Sequence, residues 1–224
     1  MSIRYFQIVS QKMDIAKKLN NGLIGGSYYE AILIASSIIS NTAQLLWPGD
    51  KIDRKRFVEL LIHYSDGKNV FSHISIPLLF ESKILTKEQE KIIFNEYRQK
   101  SFALVLTGKE IDVPEHYITT QFPDINLKEL RKYSYADIFY KYFRTPIVHE
   151  YGLAKYAAAY PQTTQDSFVS YINNVNFPYR RINFNFDRIA KVVEFIALEV
   201  SSIIRTIPLQ LPEKWWVDGM INKY

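Results

Sequence analysis

The chain has 224 residues, of which 47% are hydrophobic, 15% aromatic and 23% charged, and 28 Lys and Arg against 23 Asp and Glu leave a formal charge of +5. That balance excludes a disordered chain, which would combine few apolar residues with a high net charge, and the length suits one large domain that buries about 70% of its unfolded surface without staples. Cysteine is absent, which removes disulfides, thiolate metal sites and cysteine nucleophiles together.

The start, Met1-Ser2-Ile3-Arg4-Tyr5, runs straight into a mixed polar and apolar pattern. No export signal is expected there, and a cytoplasmic location is the default expectation. Residues 3–19 read as a first helix, ended by Asn20-Asn21-Gly22. Ser27 then caps a second helix over 28–46, and Glu30 at its third position completes a capping box. Trp47-Pro48-Gly49 stops it. The stretch is near the roughly 20 residues a membrane span needs. Glu30, Ser36, Ser37, Ser40, Asn41 and Gln44 interrupt it, so a buried soluble helix is expected and no membrane partner.

A third helix is expected over 53–64, with Asp53 as cap and Phe57, Leu60 and Leu61 on one face. A fourth is expected over 86–106, with Thr86 and Gln89 as the glutamine form of the capping box. Residues 126–143 read as a fifth, with Leu127, Leu130, Tyr133, Ile138 and Tyr142 on a broad apolar face. At Arg144-Thr145-Pro146 the helix is expected to break or kink, because proline lacks a donor and clashes with the preceding turn. A new turn would start with Thr145 as cap and Pro146 at the first position. Residues 167–175 and 179–186 read as a short hairpin around Asn176-Phe177-Pro178. Asp187 is then expected to cap a last long helix to about residue 206, with Ile189, Val192, Val193, Ile196, Val200 and Ile203 inward. The tail, 208–224, reads as irregular, docked through Trp215 and Trp216. The sum is mainly α, a helical bundle with a short β-hairpin before the last long helix. That argues against doubly wound nucleotide-binding folds, barrels and sandwiches.

Most site signatures are missing: the chain has no phosphate-binding P-loop, no dinucleotide fingerprint, no H-E-x-x-H and no G-x-S-x-G. Of four histidines, His63, His73 and His116 read as surface or structural residues, and none stands at metal-ligand spacing. No metal and no cofactor is expected. His149 differs because Arg144 precedes it by five positions. In an unbroken helix five positions turn about 500°, so the two side chains would stand about 140° apart. A kink at Pro146 would let both project into one cleft, with the positive end of a fresh helix favouring an anion. Histidine moves protons near neutral pH, and arginine forks onto two phosphate oxygens. Together they suffice for cleaving RNA through its own 2′-hydroxyl. The spacing alone leaves open a structural reading, in which Arg144 pairs with Glu150 or Asp137 and His149 caps a turn.

The run Arg144-Thr145-Pro146-Ile147-Val148-His149-Glu150-Tyr151-Gly152 resembles the R-x-x-x-x-H motif of HEPN proteins (higher eukaryotes and prokaryotes nucleotide-binding domain). Tyr28-Tyr29-Glu30-Ala31, and the stretch from Asp53 to Leu61 with Ile74-Ser75-Ile76-Pro77-Leu78 after it, are similar to uncharacterised bacterial proteins of that kind. The resemblance covers about 28–206, loosely, within one domain of 1–224. It implies an all-α, metal-independent endoribonuclease with Arg144 and His149 as catalytic pair. It also implies a homodimer whose two motifs face a shared cleft, and a toxin–antitoxin or phage-defence setting with an antitoxin or defence partner protein. Some members keep the scaffold as catalytically silent binding modules. The family often has asparagine after the arginine, where Thr145 stands here, followed by Pro146. Thr145, Glu150 and Tyr151 are candidates for orienting the pair. Lys132, Tyr140, Lys141, Arg180 and Arg181 are candidates for holding RNA, with a half-buried core face or a decorated edge strand as the structural alternative.

Overall fold

Local capping chemistry sets the long helices, and tertiary packing sets the rest. In the computed structural model, residues 2–65, 69–97, 103–159, 167–173, 179–203 and 206–219 are described. Three helices open the chain: α1 (Ser2–Asn20), α2 (Tyr28–Leu46) and α3 (Asp53–Tyr64). The capping box at the head of α2 forms as the sequence predicts, with the Ser27 amide and hydroxyl both donating to Glu30 Oε2 at 2.7 and 2.6 Å. Asp53 does not cap α3. The cap position is Ile52, and the Asp53 carboxylate instead takes the guanidinium of Arg56 one turn on.

The middle of the chain is more broken than its pattern suggests. After β1 (His73–Ile74) come α4 (Ile76–Phe80) and α5 (Lys87–Tyr97). Thr86 and Gln89 cap α5 reciprocally. The helix does not reach residue 106, because Leu106 lies in β2 (Val105–Thr107). Then follow α6 (Gly108–Ile111), β3 (Val113–Pro114), α7 (Glu115–Gln121) and α8 (Leu127–Leu130). The expected helix over 126–143 is divided. Asn126 caps α8, a single 3-10 turn follows, and Ser134 caps α9 (Tyr135–Ile138). From there a π-helical stretch, Phe139–Arg144, passes directly into α10 (Thr145–Glu150).

That passage overturns the expected break. Arg144 (φ −55°, ψ −53°) and Thr145 (φ −65°, ψ −51°) are both helical, so Thr145 is no cap and Pro146 opens no new helix. The Thr145 N–H donates to the Tyr140 carbonyl five residues back. The wider π turn offers the proline ring a way past the preceding carbonyl, its usual obstacle in an α-helix. The Tyr142 carbonyl, which a donor at 146 would have served, accepts the Ala154 N–H at 3.2 Å instead.

β4 (Val169–Ile172) and β5 (Arg181–Phe184) pair antiparallel as expected, and β2 adds on the far side of β4 to give a three-stranded sheet in the order β2–β4–β5. The expected turn at Asn176-Phe177-Pro178 lies outside the described residues. The last helix, α11 (Phe186–Ile203), is capped by Asn185, whose Oδ1 accepts the Arg188 N–H; Asp187 is already inside it. Ile189, Val192, Val193, Ile196 and Val200 are buried, and Ile203 packs at the margin. The tail docks through buried Trp215 and Trp216, with the Trp215 ring edge-on to Trp47 at 5.8 Å.

The architecture is therefore mainly helical with small antiparallel sheets. One large apolar cluster joins α1, α2, α3, α11, the π stretch and the sheet. A smaller one gathers Ile74, Ile76, Leu79, Leu85, Ile93, Ile118, Phe122 and Leu130. No described helix is long and apolar enough to cross a membrane.

Candidate functional site

The segment from Arg144 to Tyr151 lies against α2. Arg144 Nε reaches Ser40 Oγ at 3.4 Å, and the Tyr151 hydroxyl donates to Glu30 Oε1. As one segment runs from 144 to 151, its contacts on the other run from 40 to 30, so the two are antiparallel and clasped at both ends. The Arg144 guanidinium also stands 5.2 Å over the Tyr140 ring, which is edge-on to Phe57 in the core.

Neither carboxylate that could have neutralised Arg144 does so. Asp137 is buried and paired with Arg54 at 2.6 Å, and Glu150 is exposed and forms no ion pair among the described residues. Arg144 thus keeps a half-buried positive charge with no carboxylate opposite it among the described residues. His149 is exposed and makes no hydrogen bond or ion pair among the described residues. With the helix unbroken, the expected convergence of Arg144 and His149 within one chain is not formed. They stand five helical positions apart, about 140° around the axis. The fresh helix N-terminus expected beside them is missing too. The Thr145 hydroxyl is buried without a hydrogen-bond partner among the described residues.

The other candidates divide. Lys141 is exposed, its ammonium 5.2 Å over the Tyr142 ring. Lys132 pairs with Glu129 at 2.6 Å. Arg180 donates to the Ala103 carbonyl at 2.7 Å and Arg181 to the Ala157 carbonyl at 2.8 Å, so both brace the sheet margin.

A second constellation has no counterpart in the sequence pattern. Asp112, just after α6, is buried and accepts from the Ile76 N–H at 2.9 Å, the Tyr171 hydroxyl at 2.6 Å and the Tyr135 hydroxyl. The Tyr171 hydroxyl also reaches Ser75 Oγ at 2.8 Å. This polar hub ties α4, α6, α9 and β4 together where the two apolar clusters meet. Among the described residues no cation pairs with the carboxyl, and burial pushes its pKa from 3.8 up to about 7, against the hydrogen bonds that pull it down. A cavity of about 270 Å³ opens beside it, lined among others by His73, Lys109 and Tyr135. His73 lies 5.9 Å from the Tyr135 ring, and burial lowers its pKa. Sequence offered no signal for this hub, because Asp112 stands in a stretch without period or motif.

Gly108 is the residue that lets the hub close. A Cβ there would come within 2.1 Å of the Tyr135 hydroxyl and 2.9 Å of Asp112 Oδ2. Gly108→Ala is therefore expected to destabilise the fold by about 2–3 kcal/mol, as overpacking does in a filled interior. An unchanged denaturant midpoint would contradict that.

Compared with protein-family models, curated proteins and solved structures, the chain matches none. Larger cavities also lie among the described residues. One of about 400 Å³ lies between α4, α5 and the sheet, with Glu81 and Arg180 among its lining residues. One of about 630 Å³ includes Glu115, His116, Arg131 and Trp216. Arg131 there is held bidentately by Glu115 at 2.7 and 2.8 Å. Among the described residues no three His, Asp or Glu side chains gather as a metal site.

Proposed function

We propose that this chain is an HEPN-like, metal-independent endoribonuclease that acts as a homodimer, in a toxin or phage-defence role. One observation carries the reading: Arg144 is held in place by a serine and a tyrosine face, yet has no carboxylate partner among the described residues. A half-buried guanidinium left without an anion is suited to receive one, and a phosphate fits its fork. The π-helical stretch that carries it is of the kind often found at functional sites.

In this reading Arg144 holds two non-bridging oxygens of the scissile phosphate and offsets the charge that grows on the phosphorane. His149 moves protons: the 2′-hydroxyl loses its proton, O2′ forms a bond to phosphorus, the bond to the 5′-oxygen breaks, and that oxygen takes up a proton. The products are a 2′,3′-cyclic phosphate and a 5′-hydroxyl end. Because Arg144 and His149 diverge along one helix, the pair on each phosphate comes from two copies of the chain. Lys141 extends the positive surface. Lys132, Arg180 and Arg181 have structural work and drop from the RNA-binding set. An antitoxin or defence partner would act by covering the same face.

The divergence also favours a second reading, a catalytically silent helical dimer that binds without cutting. RNA cleavage with and without a chelator separates the two. Wild-type protein is expected to cut in both conditions, and His149→Ala in neither. Cleavage that survives the mutation would remove His149 from the chemistry, and no cleavage by wild type would leave the binding module.

A further inference from the structure

Tyr151 ends α10 in the left-handed conformation, φ +50° and ψ +40°, where a bulky residue is rare and strained. Glycine is the usual residue at such a helix end. The ring that takes this place is 59% exposed, so burial does not explain it. It is nevertheless fixed at two points. Its hydroxyl donates to Glu30 Oε1, and its ring lies 6.5 Å from that of Tyr29, inclined at 33°. Glu30 is itself immobilised, since its other oxygen takes the Ser27 amide and hydroxyl. Tyr29 packs against the core.

The position of the ring relative to Arg144 is also set. Arg144, Val148 and Tyr151 follow one another at four and three positions, the spacing of a single helical face. Val148 between them is 42% exposed. Seven residues of helix rise about 10 Å. The face thus offers a phosphate-binding guanidinium at one end, an apolar step in the middle and a pinned aromatic ring at the other.

We propose that Tyr151 is a stacking platform for a base of single-stranded RNA next to the phosphate held by Arg144, with Glu30 and Tyr29 holding the ring in position. This rests on the ribonuclease reading for its substrate class and replaces the orienting role expected for Tyr151. An aromatic face accepts any base, so the platform gives affinity with little sequence preference. Fixing the ring beforehand spares the ordering cost that a mobile side chain would pay on binding. The Glu30 carboxylate lies close by, but three donors and the positive end of α2 already engage it, and its pKa is held down to about 2 by the hydrogen bonds from Ser27 and Tyr151.

The test uses the full chain carrying His149→Ala, so that RNA stays intact, and measures the anisotropy of a fluorescent eight-nucleotide oligo(A). Tyr151→Gly suits the left-handed backbone and removes only the ring, so folding is preserved. It is expected to weaken binding about tenfold, while Tyr151→Phe stays within about threefold. Inorganic polyphosphate, which has charge but no bases, should bind all three proteins equally. Equal binding of oligo(A) with and without the ring overturns the platform, as does an equal loss of polyphosphate binding in Tyr151→Gly. If the His149-containing protein cuts no RNA but oligo(A) binding still follows the ring, cleavage falls and the platform stands. If no variant binds oligo(A), both fall.

Discussion

Mixing Arg144→Ala with His149→Ala protein is expected to restore RNA cleavage that neither variant has alone. The expectation comes from the unbroken helix. Pro146 is carried through a π turn, the backbone stays helical from Phe139 to Glu150, and Arg144 and His149 therefore leave the axis about 140° apart. A phosphate gripped by Arg144 would then meet a histidine from a second copy across a two-fold axis. Each variant alone should lose about 10²–10⁴ in rate, the range for a proton-transfer group or a charge-stabilising donor. In a mixed dimer one composite site keeps both residues and the other keeps neither. Random exchange of subunits makes half of the dimers mixed, so activity should return to about a quarter of wild type. Initial rates after subunit exchange measure this, with light scattering to show that dimers form. No recovery from dimeric mixtures would mean that the two residues do not act on one phosphate from two chains.

The same passage shows where sequence reading succeeds and where it stops. Helix α2 is legible to the residue, because Ser27, Glu30 and the Trp47-Pro48-Gly49 stop are local devices that act within one turn. The pairing of β4 with β5 and the docking of Trp215 and Trp216 are legible too, though the strands are shorter than their pattern suggests. Arg144-Thr145-Pro146 misleads because proline's local rule yields to a tertiary one. Ala154, from beyond the helix, satisfies the carbonyl that proline abandons. Leu106 reads as helical by its neighbours but pairs with Tyr171, 65 positions away (171 − 106), and no local pattern contains that partner. At the two helix heads where the sequence points to an aspartate cap, an earlier residue holds the cap position: Ile52, one before Asp53, and Asn185, two before Asp187. In the candidate site, the motif singled out Arg144 and His149 as residues, while the clasp of Glu30 with Tyr151 joins residues 121 apart and emerges only from packing.

Asp112→Asn is expected to gain stability relative to the wild-type fold as pH rises from weakly acidic to neutral. Asp112 ionises near 3.8 in the unfolded chain, and burial pushes this up to about 7 in the folded one, where Tyr135, Tyr171 and the Ile76 amide donate to it and no cation among the described residues pairs with it. Below 3.8 both states hold the proton, and the group does not affect the balance. Between 3.8 and 7 only the folded state holds it, so stability falls with each step up in pH. Above 7 both states are ionised and the full penalty remains, on the order of 4 kcal/mol as an upper bound from about three pKa units. His73, stacked on Tyr135, works in the opposite sense. Burial lowers its pKa, so it costs stability as pH falls below 6.5. Asp137, also raised by burial, runs in parallel with Asp112. Exposed Lys109 lines the adjacent cavity. The difference between wild type and Asp112→Asn cancels those other groups and isolates one carboxyl. Asparagine keeps an oxygen for the Ile76 amide and offers an amide to the tyrosine oxygens, so the hub can still close. Denaturant unfolding at pH 4 and pH 8 should give a difference that shifts by a few kcal/mol in favour of the variant at the higher pH. A difference that stays flat would mean that Asp112 is ionised in the fold at both values, and that the two tyrosines and one amide suffice to hold a buried charge.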